Sequence, residues 1–109
     1  MRIIKEAFLV AAGRQHPPAA RHLDTWRKTV KAMAWRNLVD VRQSYPDTDA
    51  VKARSGRTVL VFNIRRNDYH LIAAAHFNRQ IVYAMRFMRT PNTAKTAEKR
   101  HYENDTHEN

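Results

Sequence analysis

The chain has 109 residues and a formal net charge of +10, with 20 Lys and Arg residues against 10 Asp and Glu residues. This length fits a single domain, and so large a positive surplus on a small protein favours a polyanionic partner such as RNA or DNA. The sequence contains no Cys, which excludes disulfide bonds, thiolate metal sites and cysteine nucleophiles. Its apolar runs are too short for a secretory signal or a membrane span. We therefore expect a cytoplasmic protein with no membrane partner.

The N-terminal part of the chain carries the pattern of two helices. Residues 1–4 predict a short edge strand. Apolar side chains three and four residues apart then predict one face of a first helix, formed by Ile4, Ala7, Phe8 and Ala11. Gly13 and the His-Pro-Pro sequence that begins at His16 should end this helix. A second helix should begin at Pro18 or Ala19, because proline tolerates a first helical turn.

The second predicted helix has an apolar stripe and a basic flank. The stripe should face the core, and it consists of Leu23, Trp26, Val30 and Met33. The basic residues, which fall mostly off that stripe, are Arg21, Arg27, Lys28 and Lys31. We expect them to form a solvated flank that is available for RNA contact. One or two further helical turns should precede Tyr45, which the following proline pushes out of the helical region.

From Asp49 onward, short apolar runs alternate with turns. The runs read DAVKAR, TVLVFNI, YHLIAAAHF and IVYAMRFM, and the turns fall at residues 55–57, 65–68 and 78–80. Turns this short predict antiparallel hairpins, because parallel strands need long crossovers. The two middle runs are apolar at nearly every position, so they should be central strands covered on both faces.

The fold class that follows is α+β, with two N-terminal helices packed on a small antiparallel sheet of three or four strands. After Met88 the composition changes abruptly to polar residues without apolar periodicity. We therefore assign residues 1–88 to one domain and residues 89–109 to a polar tail that we expect to be disordered.

The sequence offers little conventional catalytic or metal-binding chemistry. It has six histidines without H-x-x-x-H spacing, which predicts no metal site; they are His16, His22, His70, His76, His101 and His107. His70 and His76 lie an even number of residues apart on one predicted strand and should share a face. Glycine-rich phosphate loops and nucleophile-elbow motifs are missing, so we expect no cofactor. Metal-free RNA cleavage stays feasible, because the 2′-hydroxyl is an internal nucleophile that needs only positioning, proton transfer and charge stabilisation.

Arg86 is the most informative basic residue, because it interrupts an otherwise apolar strand. It either belongs to an active site or marks the solvent face of an edge strand. Arg65 and Arg66 at a hairpin tip either contact RNA or lie on a solvated rim, and Asn67 beside them favours RNA contact. Four aromatic residues occupy alternate positions that should share one face of the sheet, and they are Tyr69, Phe77, Tyr83 and Phe87. We expect them to be core residues rather than residues that stack on nucleobases.

Residues 44–88, which read SYPDTDAVKARSGRTVLVFNIRRNDYHLIAAAHFNRQIVYAMRFM, resemble the HigB-type toxins of bacterial type II toxin–antitoxin systems. The motifs FNI..N.Y.LIA and RQIVY carry the resemblance. It implies a RelE-like fold and ribosome-associated cleavage of mRNA. It also implies neutralisation by a cognate HigA-like antitoxin, through which the complex would bind operator DNA.

Three departures from the family pattern stand out. Arg65 and Arg66 replace the usual hairpin glycines, which stiffens the turn and adds charge. His70 replaces the family's arginine, so a basic contact there becomes pH-dependent. The family's closing Thr-His-x-Glu-Tyr motif, which should bring a His and a Tyr to the active site, is missing after Met88.

A one-base deletion would explain the missing motif. The genetic code allows a DNA sequence for residues 89–95 that changes reading frame when one A is restored in front of it. In that frame the bases directly after Met88 encode Thr-His-Ala-Glu-Tyr-Ser-Lys. Our hypothesis is that the tail arose by such a frameshift, and the alternative is a divergent tail whose codons match by accident. Either origin predicts an intact fold with weakened catalysis, unless His101 or Tyr102 folds back to substitute.

The site residues that we infer divide into two groups. His70 would transfer protons, while Arg86 and Arg66 would stabilise charge at the reacting phosphate. The residues that we expect to bind RNA are Lys52, Arg65, Asn67, Arg79 and Arg89. Two alternatives stay open. The same surface forms a non-catalytic RNA- or DNA-binding module, or it serves only to bind an acidic segment of an antitoxin.

Overall fold

A computed structural model describes residues 1–52 and 58–90 of the chain. Within these ranges the helices are α1 (Glu6–Gln15), α2 (Ala20–Ala32) and α3 (Leu38–Ser44), and a 3₁₀ turn (Pro17–Ala19) leads into α2. The strands are β1 (Arg2–Ile4), β2 (Asp49–Lys52), β3 (Thr58–Ile64), β4 (Tyr69–His76) and β5 (Ile81–Arg89). The fold is therefore α+β, with the helices before the main run of strands.

The five strands form one sheet in the order β1-β5-β4-β3-β2. Strands β2 to β5 make the expected antiparallel meander, with β3 and β4 inside the sheet. The short edge strand predicted for residues 1–4 is confirmed as β1, which lies at one edge of the sheet and runs parallel to β5, from Arg2 opposite Ile81 to Ile4 opposite Tyr83. The predicted count of three or four strands is too low, because β1 joins the sheet as a fifth strand. A parallel neighbour is allowed here because a long, helix-containing connection separates β1 from β5.

The first helix differs from its predicted face. Ile4 ends β1, so the helix starts two residues later, at Glu6, and its buried residues are Leu9, Ala12 and Gly13. Of the predicted helical stripe, Phe8 packs against the core, whereas Ala7 and Ala11 are exposed. Gly13 does not stop the helix. A Cβ there would lie 3.4 Å from Ala20, so the small residue lets α1 approach the start of α2 closely.

The second helix follows its sequence pattern. Leu23, Trp26 and Val30 are buried, whereas Met33 lies just past the helix end and is 38% exposed. The predicted count of two helices is wrong, because the turns before Tyr45 form α3. Asn37 caps α3 by accepting a hydrogen bond from the Asp40 amide (3.0 Å), which satisfies one of the amides that a helix start leaves open.

The helices cover one face of the sheet, here called the inner face. Its core contains helical residues such as Trp26 and Val30 together with Phe62 and Leu71 from the strands. The opposite face, here called the outer face, carries a separate apolar cluster built from strand residues alone. That cluster consists of Val51, Val59, Val61 and Ile72, with Met85 and Met88 packed against it.

A β-bulge in β5 changes which side chains reach each face. Ile72 pairs with Arg86, but the next residue of β4, Ala73, pairs with Ala84, so Met85 is the extra residue. An inserted residue shifts the alternation of a strand by one position. Val82 and Ala84 therefore belong to the inner core, while Arg86 shares the register row of outer-face Ile72.

Because of the same bulge, the prediction that the four aromatic residues share one core face is wrong. Tyr69 is buried on the inner face, and Phe87 packs against that core. Tyr83 precedes the bulge and pairs with Ala74, which places it on the outer face, where Lys5 lies 5.2 Å from its ring centroid. Four residues that share one parity in the sequence therefore do not all lie in the core.

The C-terminal end of β5 lies at Arg89, and the Thr90 amide donates to the Asp68 carbonyl (2.9 Å). The predicted tail beyond Thr90, with His101, Tyr102 and His107, lies outside the described residues, as does the predicted turn at 55–57 with its neighbour Arg54. Among the described helices none is long and apolar enough to cross a membrane.

Candidate functional site

His70 is the central polar residue of the outer face. Cross-strand pairing aligns it with Asn63 on β3 and Met88 on β5. Only 4% of His70 is exposed, and its Nε2 lies 3.3 Å from the Asn67 side-chain oxygen. A buried imidazole held by a hydrogen-bonding neighbour has a fixed orientation, which a proton-transfer group requires.

Arg86 lies on the neighbouring strand, two register rows from His70 and therefore on the same face of the sheet. Diagonal neighbours of this kind on an antiparallel pair are about 7–8 Å apart. The guanidinium reaches the outer face because of the bulge at Met85; without the bulge, it would follow Ala84 towards the helices. A bulge that re-aims one side chain in this way is common beside functional sites.

The β3–β4 hairpin closes one end of the sheet, here called the hairpin end. Arg65 and Arg66 both have positive φ angles, of 53° and 61°. Non-glycine residues are strained in this left-handed region, so the two arginines occupy positions where glycine would fit better. Arg65 pairs with Asp68 (3.0 Å), whereas Arg66 forms no ion pair within residues 1–52 and 58–90.

A cleft of about 650 Å³ opens beside the hairpin. It lies between the loop that follows α3, the start of β2 and the hairpin, and its lining is Arg42, Pro46, Asp47, Thr48, Asp49, Asn63, Arg66 and Asn67. Asn63 pairs with His70 in the sheet and Asn67 contacts its ring. The cleft and the His70 row therefore form one continuous surface, here called the outer site.

Six lining residues of this cleft were not predicted from the sequence: Arg42, Pro46, Asp47, Thr48, Asp49 and Asn63. Asn63 interrupts an apolar strand, which is the signal that identified Arg86, so it was open to detection. Arg42 and Asp47 belong to a helix end and a loop, and their local sequence gives no sign that they approach the hairpin.

The other predicted RNA-binding residues lie away from His70. Arg79 follows β4 at the opposite end of the sheet, at least about 20 Å along the strand. Lys52 pairs with Thr58, also far from the hairpin end. Arg89 lies at the hairpin end, but its register partner Tyr69 faces the helices. The structure therefore gathers Arg66, Asn67, His70 and Arg86, with Arg65 at the rim.

Ion pairs distinguish the basic residues of the helices from those of the outer site. Arg27 contacts Glu6 (2.9 Å) and Asp24 (3.1 Å), Lys31 also binds Glu6, and Lys28 binds Asp24. The predicted basic flank of α2 is thus largely engaged by carboxylates, so it is a weaker candidate for RNA contact than sequence suggested.

The described histidines do not converge on a metal site. In residues 1–52 and 58–90, no group of three or more His, Asp or Glu side chains is placed to hold a metal ion. His70 and His76 share a face of β4, as their spacing predicts, but they lie about 20 Å apart along the strand. His16 packs edge-on against Tyr69 (5.2 Å) and Phe87 (5.5 Å).

Comparison with known proteins identifies the family. A family model for the HigB toxin, a RelE-like toxic component of a toxin-antitoxin system, matches residues 19–90. The matched range contains α2, α3 and strands β2 to β5, and therefore the whole outer site. The resemblance inferred from the sequence is confirmed. A search of curated proteins found no match.

Proposed function

The chain belongs to the HigB family of RelE-like toxins, and on that premise we propose that it cleaves mRNA on the ribosome through attack of the RNA 2′-hydroxyl. The observation that carries the proposal is the position of His70 on the outer face. It is buried, it contacts Asn67, and it has Arg86 on the adjacent strand and Arg66 at the hairpin.

The cleavage step needs one proton acceptor and positive charge. The 2′-oxygen bonds to phosphorus while the bond from phosphorus to the 5′-oxygen breaks. The proton of the 2′-hydroxyl passes to the imidazole of His70, and the leaving 5′-oxygen takes a proton from water. Arg86 and Arg66 stabilise the negative charge of the phosphorane. The products are a 2′,3′-cyclic phosphate and a 5′-hydroxyl.

The C-terminal sequence is expected to limit this activity. In the family pattern a Thr-His-x-Glu-Tyr motif after Met88 supplies a second His and a Tyr, and this chain has other residues there. A chain left with His70 as its proton-transfer group should cleave slowly. General acid–base groups each contribute about 10²- to 10⁴-fold in rate, so the loss of one partner is large without being total.

The family also implies an antitoxin as a partner. We propose a HigA-like antitoxin that covers the outer site with an acidic segment, since Arg66 and Arg42 have no carboxylate partner within the described ranges. Such a segment would compete directly with RNA. Operator DNA would then be bound through the antitoxin.

The test is mRNA cleavage in a translation extract with purified ribosomes, comparing His70→Gln with His76→Gln. Both residues lie on the outer face of β4, but only His70 adjoins Asn67 and Arg86. Glutamine preserves hydrogen bonding and cannot transfer a proton. We expect His70→Gln to lower the rate at least about a hundredfold and His76→Gln to leave it nearly unchanged.

A second arm replaces the residues after Met88 by Thr-His-Ala-Glu-Tyr. Faster cleavage by this chain, with cyclic phosphate ends, supports the proposal. If neither chain cleaves but both bind ribosomes or RNA, the non-catalytic binding function stands instead. Equal cleavage by the two histidine variants would exclude His70 as the proton-transfer group.

A further inference from the structure

The cleft beside His70 has a mixed lining that a simple phosphate site would not need. Arg42 and Arg66 supply cationic donors, Asn63 and Asn67 supply amides, and Asp47 and Asp49 supply carboxylates, of which Asp49 already has an interaction partner. An ionised carboxylate repels phosphate, but it accepts hydrogen bonds from amino groups. The lining therefore suits a ligand group that carries its own donors and acceptors, such as the edge of a nucleobase.

The loop that carries Asp47 is held in place. The backbone amide and hydroxyl of Thr48 both donate to the Tyr45 carbonyl (3.1 and 2.8 Å), and Arg42 Nε donates to the Thr48 carbonyl (3.1 Å). This turn fixes Asp47 at the cleft with its carboxylate exposed. Within the described residues no side chain or amide donates to that carboxylate, so it is ready to accept from a ligand.

The cleft also has the right size and position. Its volume of about 650 Å³ is within the range of pockets that hold small organic ligands. Asn63 and Asn67 line the cleft and also adjoin His70. An RNA strand whose backbone crosses His70 and Arg86 would therefore bring a neighbouring base to the cleft.

We propose that this cleft is a base-selective subsite, and that Asp47 favours bases with an exocyclic amino group over uracil. The inference rests on the proposed function and adds a substrate preference to it. Single-stranded RNA is read through the edges of unstacked bases, and carboxylates read amino groups such as that of cytosine. Uracil presents oxygen where cytosine presents its amino group, so oxygen would face oxygen at Asp47.

Pairs of ligands that differ at the exocyclic group of one base test this preference. The probes are 2′-O-methyl oligouridylates, which cannot undergo 2′-hydroxyl attack, with one central residue varied. Cytidine against uridine, and adenosine against inosine, each exchange an exocyclic amino group for an oxo group, and with it the adjacent ring nitrogen changes from an acceptor to an N–H donor. We expect the amino member of each pair to bind the wild-type protein about five- to a hundredfold more tightly, as measured by fluorescence anisotropy.

Two variants separate the cleft from general electrostatics. Asp47→Asn should remove both preferences, because an amide can turn to donate to an oxo group. Asp68→Asn changes the charge equally on the neighbouring hairpin, outside the cleft lining, and should keep them. Equal affinity of the wild type within each pair overturns the subsite while leaving RNA binding intact. Binding to none of the probes overturns the subsite alone, because the proposed function is decided by the cleavage assay with ribosomes.

Discussion

The two faces of the sheet use the same strands for different purposes. On the inner face, Phe62 packs against the rings of Trp26, Trp35 and Tyr45 at centroid distances of 5.2–6.2 Å. On the outer face the same strands present Asn63 and, in register, His70. Alternation along a strand thus lets one segment supply both the core and the site. We therefore expect substitutions on the inner face to change mainly stability, and substitutions at adjacent positions on the outer face to change mainly activity.

The electrostatics of the two layers differ in the same way. In the helical layer, Arg27 and Lys31 both bind Glu6 and so connect α1 to α2. At the outer site, Arg66 has no such partner in the described ranges. The ion-paired charges of α1 and α2 therefore serve folding, while Arg66 at the hairpin end is available to a ligand.

The largest expected effect is on the free energy of unfolding, and it distinguishes two neighbouring residues on opposite faces of β3. Phe62→Ala removes a fully buried ring, which should lower the free energy of unfolding by about 3–5 kcal/mol. Val61→Ala on the outer face removes two carbons and should lower it by about 2 kcal/mol. Urea denaturation measures both. Equal losses would show that the outer cluster contributes as much to the core as the inner face does.

A smaller effect should appear at Arg66, where stability and binding change in opposite directions. Arg66→Gly relieves the strain of a φ of 61° and should raise the free energy of unfolding by about 0.5–1 kcal/mol. It also removes a phosphate contact, so RNA affinity should fall and the salt slope should decrease by about 1.

Arg66→Ala is the matched control for that change. It loses the same charge but keeps a Cβ in the left-handed region, so it should weaken RNA binding equally without any gain in stability. A stabilised alanine variant would mean that the turn is not strained by its side chains.

The smallest effect is a pH-dependent one in the helical layer. The hydrogen bond from Lys31, and then that from Arg27, hold the pKa of Glu6 below its usual 4.5 against the opposing effect of burial. The folded state then binds this proton less readily than the unfolded chain does. The stabilisation is therefore complete above pH 4.5 and is lost as the pH falls through the lower, folded-state pKa.

Glu6→Gln removes this contribution. Its melting temperature should lie slightly below that of the wild type at neutral pH, by an amount equivalent to less than about 1 kcal/mol, and the two should converge in acid. RNA affinity should not fall. A fall in affinity would indicate that the helical layer takes part in binding after all.

Much of the fold could be read from local pattern. Apolar runs separated by short turns located β2 to β5, and the stripe of Leu23, Trp26 and Val30 located the buried face of α2. The sequence placed Ile4 both in an edge strand over residues 1–4 and on the apolar stripe of the first helix, and its pairing with Tyr83 decides for the strand.

By itself, the sequence determined the chemical character of the site: a surplus of arginine, a histidine on a central strand, and a motif shared with one toxin family. Tertiary structure alone decided where those groups point. The bulge at Met85 turns Arg86 to the outer face, and the fold brings Arg42 and Asp47 to the hairpin. The physical reason is that alternation is a local property of one strand, whereas a bulge arises from pairing between two strands and a cleft from segments distant in the chain.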